Sequence, residues 1–129
     1  MKKILIVEND LATQLLLEIM IEDYCKFPLI ATNGLEAVRI CKENPDIDIV
    51  LMDIKMPEMN GIEATEEIVK RHPNTKVLAI SMFDEQRYIV KMLQAGALGV
   101  SSVTEAAVSM NAVDSKSVGL AQPEWYLIE

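Results

Sequence analysis

Positive charge is what this chain of 129 residues has least of: 12 lysines and arginines stand against 20 aspartates and glutamates, a net charge of −8. No basic stripe offsets the deficit, which argues against nucleic acid as a direct partner. Long apolar runs are missing too. None approaches the ~20 residues that span a bilayer, so no membrane partner is expected. The start Met1-Lys2-Lys3 is basic, but only Ile4 to Val7 follow before the acid at Glu8. That is too short for a secretory signal, and the chain is expected in the cytoplasm. Cysteine occurs twice, at Cys25 and Cys41, in helical patterns without metal-ligand spacing. Both read as small core residues in a reducing compartment. The single histidine, His72, precedes Pro73 at a helix end, where it complements the helix dipole and makes a poor catalyst.

What is present is ordinary for a soluble domain: half the residues are hydrophobic and a quarter charged, with enough length for one sizeable core. Strand and helix patterns alternate along it. Lys3 to Glu8 carries Ile4, Leu5, Ile6 and Val7 consecutively, as in a strand buried on both faces. Asn9 or Asp10 can cap a helix over Leu11 to Asp23, in which Leu15, Leu16, Ile19 and Met20 share a face. Pro28 to Thr32 reads as a second strand and Asn33-Gly34 as a turn. A helix marked by Leu35, Val38, Ile40 and Cys41 ends before Pro45. Ile47 to Met52 is the third strand, and Ile62 to Arg71 a helix stopped by Pro73. Lys76 to Ser81 is the fourth strand, Asp84 to Gln94 a helix, and Ala97 to Ser101 a weak fifth strand. This alternation with short links predicts an α/β fold, a doubly wound five-stranded parallel sheet of order 2-1-3-4-5 in a three-layer sandwich. Thr104 to Val113 reads as a further helix with a mainly alanine apolar side, which completes one domain over residues 1–113. Residues 114–129 read as an atypical tail ending in Trp125-Tyr126-Leu127-Ile128, which can dock on the domain, pair with the sheet edge of a second copy as a homodimer, or stay loosely ordered.

The most informative stretch runs from Ile49 to Gly61. An apolar strand ends on one carboxylate, Asp53, and a loop punctuated by Pro57 and Gly61 leads into a helix. Open α/β sheets put their ligand sites at that C-terminal lip. A lone carboxylate there can attack phosphorus or bind a metal. The topology brings Glu8, Asn9 and Asp10, after the first strand, and Ser81, at the end of the fourth, to the same lip. Gathered carboxylates suit Mg²⁺, which prefers oxygen ligands; the Ser81 hydroxyl can donate to an anion beside Asp53.

These residues resemble the receiver domain of two-component response regulators, a family with a flavodoxin-like fold. The resemblance covers residues 2–103. Its most specific part is Asp53-Ile54-Lys55-Met56-Pro57-Glu58-Met59-Asn60-Gly61, similar to the loop after the phospho-accepting aspartate. Ile4 to Asp10 resembles the acidic turn, Ala79-Ile80-Ser81-Met82 the switch-hydroxyl segment, and Gln94-Ala95-Gly96-Ala97-Leu98-Gly99 the approach to the fifth strand. Ser81-Met82 with Asp84-Glu85 and Tyr88 looks most like receivers that carry a helix-turn-helix output domain. The resemblance implies that Asp53 accepts a phosphoryl group from a sensor histidine kinase or phosphotransfer protein. It further implies that Mg²⁺ is held by Glu8, Asn9, Asp53 and the backbone carbonyl of Lys55, and that Ser81 turns toward the phosphoryl group. A face built on strand four, helix four and strand five would then bind a downstream protein. The chain would be a phosphoacceptor signalling domain and not an enzyme acting on external substrates.

Two departures qualify that expectation. The second acid of the family's turn is here the neutral Asn9, which weakens the metal site unless Asp10 substitutes. The family's lysine after strand five falls at Val103, and no lysine occurs between Lys91 and Lys116. Asp53 thereby lacks its usual ammonium partner, and switching is expected to be impaired. The alternative is a receiver-like interaction module that works without phosphate. A flavin carrier or aspartyl-phosphate phosphatase fits poorly: Asn9 to Thr13 contains no glycine, and Lys55 stands where the phosphatase needs a second acid.

Overall fold

Ile4–Val7 form the first strand, β1, and all four side chains are fully buried, the mark of a central parallel strand covered on both faces. The other elements of the computed structural model are α1 (Leu11–Met20), β2 (Leu29–Ala31), α2 (Gly34–Glu43), β3 (Ile49–Asp53), α3 (Gly61–Arg71), β4 (Lys76–Ser81), α4 (Gln86–Gln94) and β5 (Gly99–Ser102). The structure describes residues 2–53, 60–81 and 86–102, with side chains throughout except at 81–89 and 100–102. The expected helix over 104–113, the tail 114–129, Val103, and the loop that contains Lys55 lie outside the described residues.

The sheet is parallel and ordered β2-β1-β3-β4-β5, the doubly wound arrangement read from the sequence. Its two faces make two cores. Leu5, Val7, Val50, Met52, Val77 and Ala79 pack against Ala37 and Cys41 of α2, Ala64 and Ile68 of α3 and Met92 of α4. On the opposite face Ile4, Ile6, Ile49, Leu51, Leu78 and Ile80 pack with Leu17 of α1, then Ile21 and Cys25. The two cysteines thus sit in different cores, both free thiols, and burial pushes the Cys41 thiol up to about 11. No helix among the described residues is long and apolar enough to cross a membrane.

The helix starts follow local chemistry. Asp10 caps α1 and Asn33 caps α2, its side chain accepting from the Glu36 N–H at 2.8 Å. Asn60 caps α3 in a reciprocal box with Glu63. Gly61, read from sequence as loop, is therefore the first residue of that helix. The end of α1 is a correction of another kind. It stops at Met20, because residues 21–24 turn, with the Tyr24 and Cys25 N–H groups both returning to the Ile21 carbonyl.

The orientation of α1 is the larger surprise. Leu15, Leu16 and Ile19, the face marked by the sequence pattern, point outward with Leu11, at 51, 44, 65 and 67% exposure. The inward face carries Thr13, Gln14 and Leu17 instead. An apolar stripe identifies a helix, but a helix with apolar residues on both sides does not reveal which side is the core.

Candidate functional site

Parallel register places the acids. Val7 pairs with Met52 and Asp53 with Ile80, so Glu8, the first residue past β1, lies opposite Asp53 at the C-terminal lip. Side chains alternate along a strand, and Glu8 and Asp53 share the parity of Ile4, Ile6, Ile49 and Leu51, the face toward α1. Adjacent strands, neighbouring positions and one shared face leave their carboxyl groups no separate places. They stand side by side, and the Asp53 side chain is among the groups that act on the Glu8 carboxyl.

Glu8 is buried, 5% exposed. Burial holds its carboxyl above the ordinary glutamate range; the Asp10 and Asn9 backbone N–H groups and the Asp53 contact oppose this, and the nearby Asp10 charge adds to it. The Asp10 N–H donates to Glu8 Oε2 at 2.9 Å. The Glu8 N–H donates to the Ala31 carbonyl of β2 at 3.0 Å, and its own carbonyl accepts from Gln14 Nε2 at 2.6 Å in a buried bond.

Asp10 faces the other way. Its Oδ2 accepts from the Thr13 hydroxyl at 2.8 Å and the Thr13 N–H at 3.0 Å, which lowers its carboxyl below the usual aspartate range. The carboxylate named from sequence as a substitute for Asn9 is therefore occupied as the α1 cap. Reaching a cation would cost α1 that cap. Ser81 ends β4, one residue past the Asp53 partner Ile80, and its main chain pairs with Ser102; its side chain lies outside the described part, as does the Lys55 carbonyl. Of the sequence candidates, the described side chains thus bring together Glu8 and Asp53, with Asn9 between Glu8 and Asp10 in the turn.

Can this donor set hold Mg²⁺? Two neighbouring carboxyl groups at the lip, Glu8 buried and Asp53 beside it, are suited to a divalent ion, whose charge offsets theirs. Among the described residues no group of three or more histidines, cysteines or acids converges, consistent with an amide where a third acid would strengthen the site. The residues fit Mg²⁺, with less charge than three carboxylates would supply. Sequence reading missed Thr13 and Gln14. Their signal was available: two polar residues on the side of α1 opposite its apolar stripe.

The sequence model of the response regulator receiver domain matches residues 4–102. The chain is 36% identical over 101 residues to the transcriptional regulatory protein YdfI of Bacillus subtilis, covering 77% of this chain and 46% of that protein. Among solved structures, a LuxR-family two-component response regulator from Aurantimonas superposes with a TM-score of 0.78 at 25% identity, covering 88% of this chain and 85% of the other. CheY of Borrelia burgdorferi, solved with CheX, BeF3 and Mg²⁺, superposes with a TM-score of 0.76 at 27% identity, covering 90% and 89%. The chain spans about a quarter to a half of the length of curated relatives that it matches.

Proposed function

Because the chain belongs to the response regulator receiver domain family, we propose that it accepts a phosphoryl group on Asp53 from a phosphohistidine of a sensor kinase or phosphotransfer protein. The single observation that carries this reading is the strand register that sets Asp53 beside Glu8 at the lip of the sheet. An Asp53 carboxylate oxygen attacks phosphorus; the P–O bond forms as the P–N bond to imidazole breaks, and the imidazole leaves with its electron pair. Rate comes mainly from positioning and charge stabilisation. Mg²⁺ would be held by Glu8, Asn9, Asp53 and the main-chain carbonyl of Lys55, and would supply the positive charge that the transferring oxygens need.

The protein's own part is orientation. β1 and β3 fix the two acids in register, and the α1 cap holds Asp10 out of the way. Ser81 follows the Asp53 partner in β4, and a hydroxyl at that position suits a role as donor to a phosphoryl group on Asp53. The downstream target binds where β4, α4 and β5 adjoin. Val103 stands where the family carries its lysine, so switching is weaker than chemistry at Asp53. Hydrolysis of the acyl phosphate resets the domain.

The reading of the chain as a phosphate-independent module draws no support from the family match or the structural neighbours. Incubation with acetyl phosphate and Mg²⁺, followed by intact mass, tests the proposal. One added phosphoryl group, absent in Asp53→Asn and with chelator, is the expected result; an unmodified wild-type chain at saturating donor refutes it.

A further inference from the structure

We infer that Gln14 is a positioning residue for the acidic turn, its side-chain amide fixing the Glu8–Asn9 peptide so that Glu8 faces Asp53. The inference deepens the phosphoacceptor reading and rests on it for its functional consequence. α1 puts leucine and isoleucine outside while Gln14, 8% exposed, is inside. A buried amide is unfavourable unless its polar atoms are satisfied, and this one donates to the Glu8 carbonyl at 2.6 Å.

That carbonyl lies just past the end of β1, where the ladder no longer sets the peptide plane: the register between β1 and its neighbours ends at Val7. The Glu8 N–H still reaches the Ala31 carbonyl. With the N–H held by β2 and the carbonyl by α1, Glu8 is clamped on both sides. Its Oε2 in turn receives the Asp10 N–H, and Thr13, the neighbour of Gln14, locks Asp10. α1 therefore serves the turn through two adjacent inward residues, and Gln14 touches the peptide that carries Glu8 and Asn9 into the site. Gln14 reaches no reacting atom; it acts through Glu8.

Gln14→Met keeps length and removes the donor, and Gln14→Glu keeps size and polarity while turning the donor into an acceptor. Thr75→Val is the matched control: the Thr75 hydroxyl makes a buried bond to the Ile47 carbonyl at 2.9 Å, at the opposite end of the sheet. In either Gln14 variant, amide hydrogen exchange at Asp10 in the metal-free protein should quicken about fivefold, and the Mg²⁺ concentration for half-maximal phosphorylation by acetyl phosphate should rise about fivefold, as loss of one buried hydrogen bond predicts. Thr75→Val should lower the melting temperature comparably and leave both readouts near wild type. Should the Met variant fail to fold, the Glu variant decides alone. Unchanged Asp10 exchange in a folded Gln14 variant, or an equal change in Thr75→Val, overturns the inference. A wild-type chain that takes no phosphoryl group refutes the phosphoacceptor reading instead, and the exchange measurement still decides the role of Gln14.

Discussion

Glu8 and Asp53, 45 positions apart in sequence, stand side by side at the lip of the sheet through the register of β1, β3 and β4, and the buried Glu8 carboxyl makes the site pH-dependent. Burial raises the Glu8 carboxyl above its ordinary value, so the folded state holds the proton more tightly than the unfolded chain. This contribution to stability is fully present below the ordinary glutamate value and is lost as pH rises through the raised one. Cation binding displaces the proton, so Mg²⁺ affinity changes in the opposite direction and climbs over the same window. Thermal melts of the metal-free protein and Mg²⁺ titrations across this range should show opposed slopes. Glu8→Gln should flatten both, raise the metal-free melting temperature at neutral pH and weaken Mg²⁺ binding.

Asn9→Asp tests whether the amide limits the metal site. One charge pair at ~4 Å is worth roughly 1 to 4 kcal/mol as the surroundings run from water to a protein surface. The expected gain is thus about fivefold or more in Mg²⁺ affinity, measured by titration calorimetry. The metal-free protein should lose stability at neutral pH, because the new acid stands next to Glu8 and Asp10. An unchanged affinity would mean that the position 9 side chain does not reach the cation.

Val103→Lys addresses transmission instead of chemistry. If the missing ammonium limits switching, the variant should show larger backbone chemical-shift changes in α4 on phosphorylation than the parent does. The check is a comparison of the two proteins, each with and without acetyl phosphate. Equal changes would assign the weakness to another part of the coupling.

The outward stripe of α1 makes a contrast within one helix. Leu15 is 51% exposed and Leu17 is 1% exposed. Leu15→Gln should change unfolding free energy by no more than about 0.5 kcal/mol. Leu17→Ala, which empties a place among Ile4, Ile6 and Leu51, should lose about 2–4 kcal/mol. Chemical denaturation of the two variants measures both. If the costs were reversed, α1 would have to be rotated by half a turn from its observed setting.

Sequence carried the framework because parallel strands announce themselves. Ile4 to Val7 and Ile49 to Met52 are unbroken apolar runs, and the carboxylate that ends the second run marks the lip. Asp10, Asn33 and Asn60 are cap residues by type, and two of the three were recognisable as cap or turn beforehand. The interior setting of α1 was not legible, because Leu11, Leu15, Leu16 and Ile19 make a better apolar face than the one that is buried. Buried Thr13 and Gln14 look like surface residues until their partners, Asp10 and the Glu8 carbonyl, are seen. The juxtaposition of Glu8 and Asp53 depends on strand register and shared parity, which no local pattern encodes. Periodicity reports elements; the hydrogen bonds that finish a site arise from how elements meet.

The last expectation concerns how α4 is held against α3. Gly96 follows α4 with φ of +111°, and a Cβ there would stand 2.9 Å from Cγ1 of Val69 on α3. Two penalties therefore fall on Gly96→Ala: a backbone conformation that side chains disfavour and a clash with a branched side chain. Together they should cost about 1–3 kcal/mol, read as a lower denaturation midpoint with an unchanged slope. Val69→Ala removes the obstacle but leaves the backbone angle, so the double variant should be less destabilised than the sum of the singles, by about 0.5–1 kcal/mol. Strict additivity would show that the backbone angle alone requires glycine. A coupling of that size would show that glycine is also needed for the close approach of α4 to α3, the contact that sets α4 beside β4 and β5 on the proposed output face.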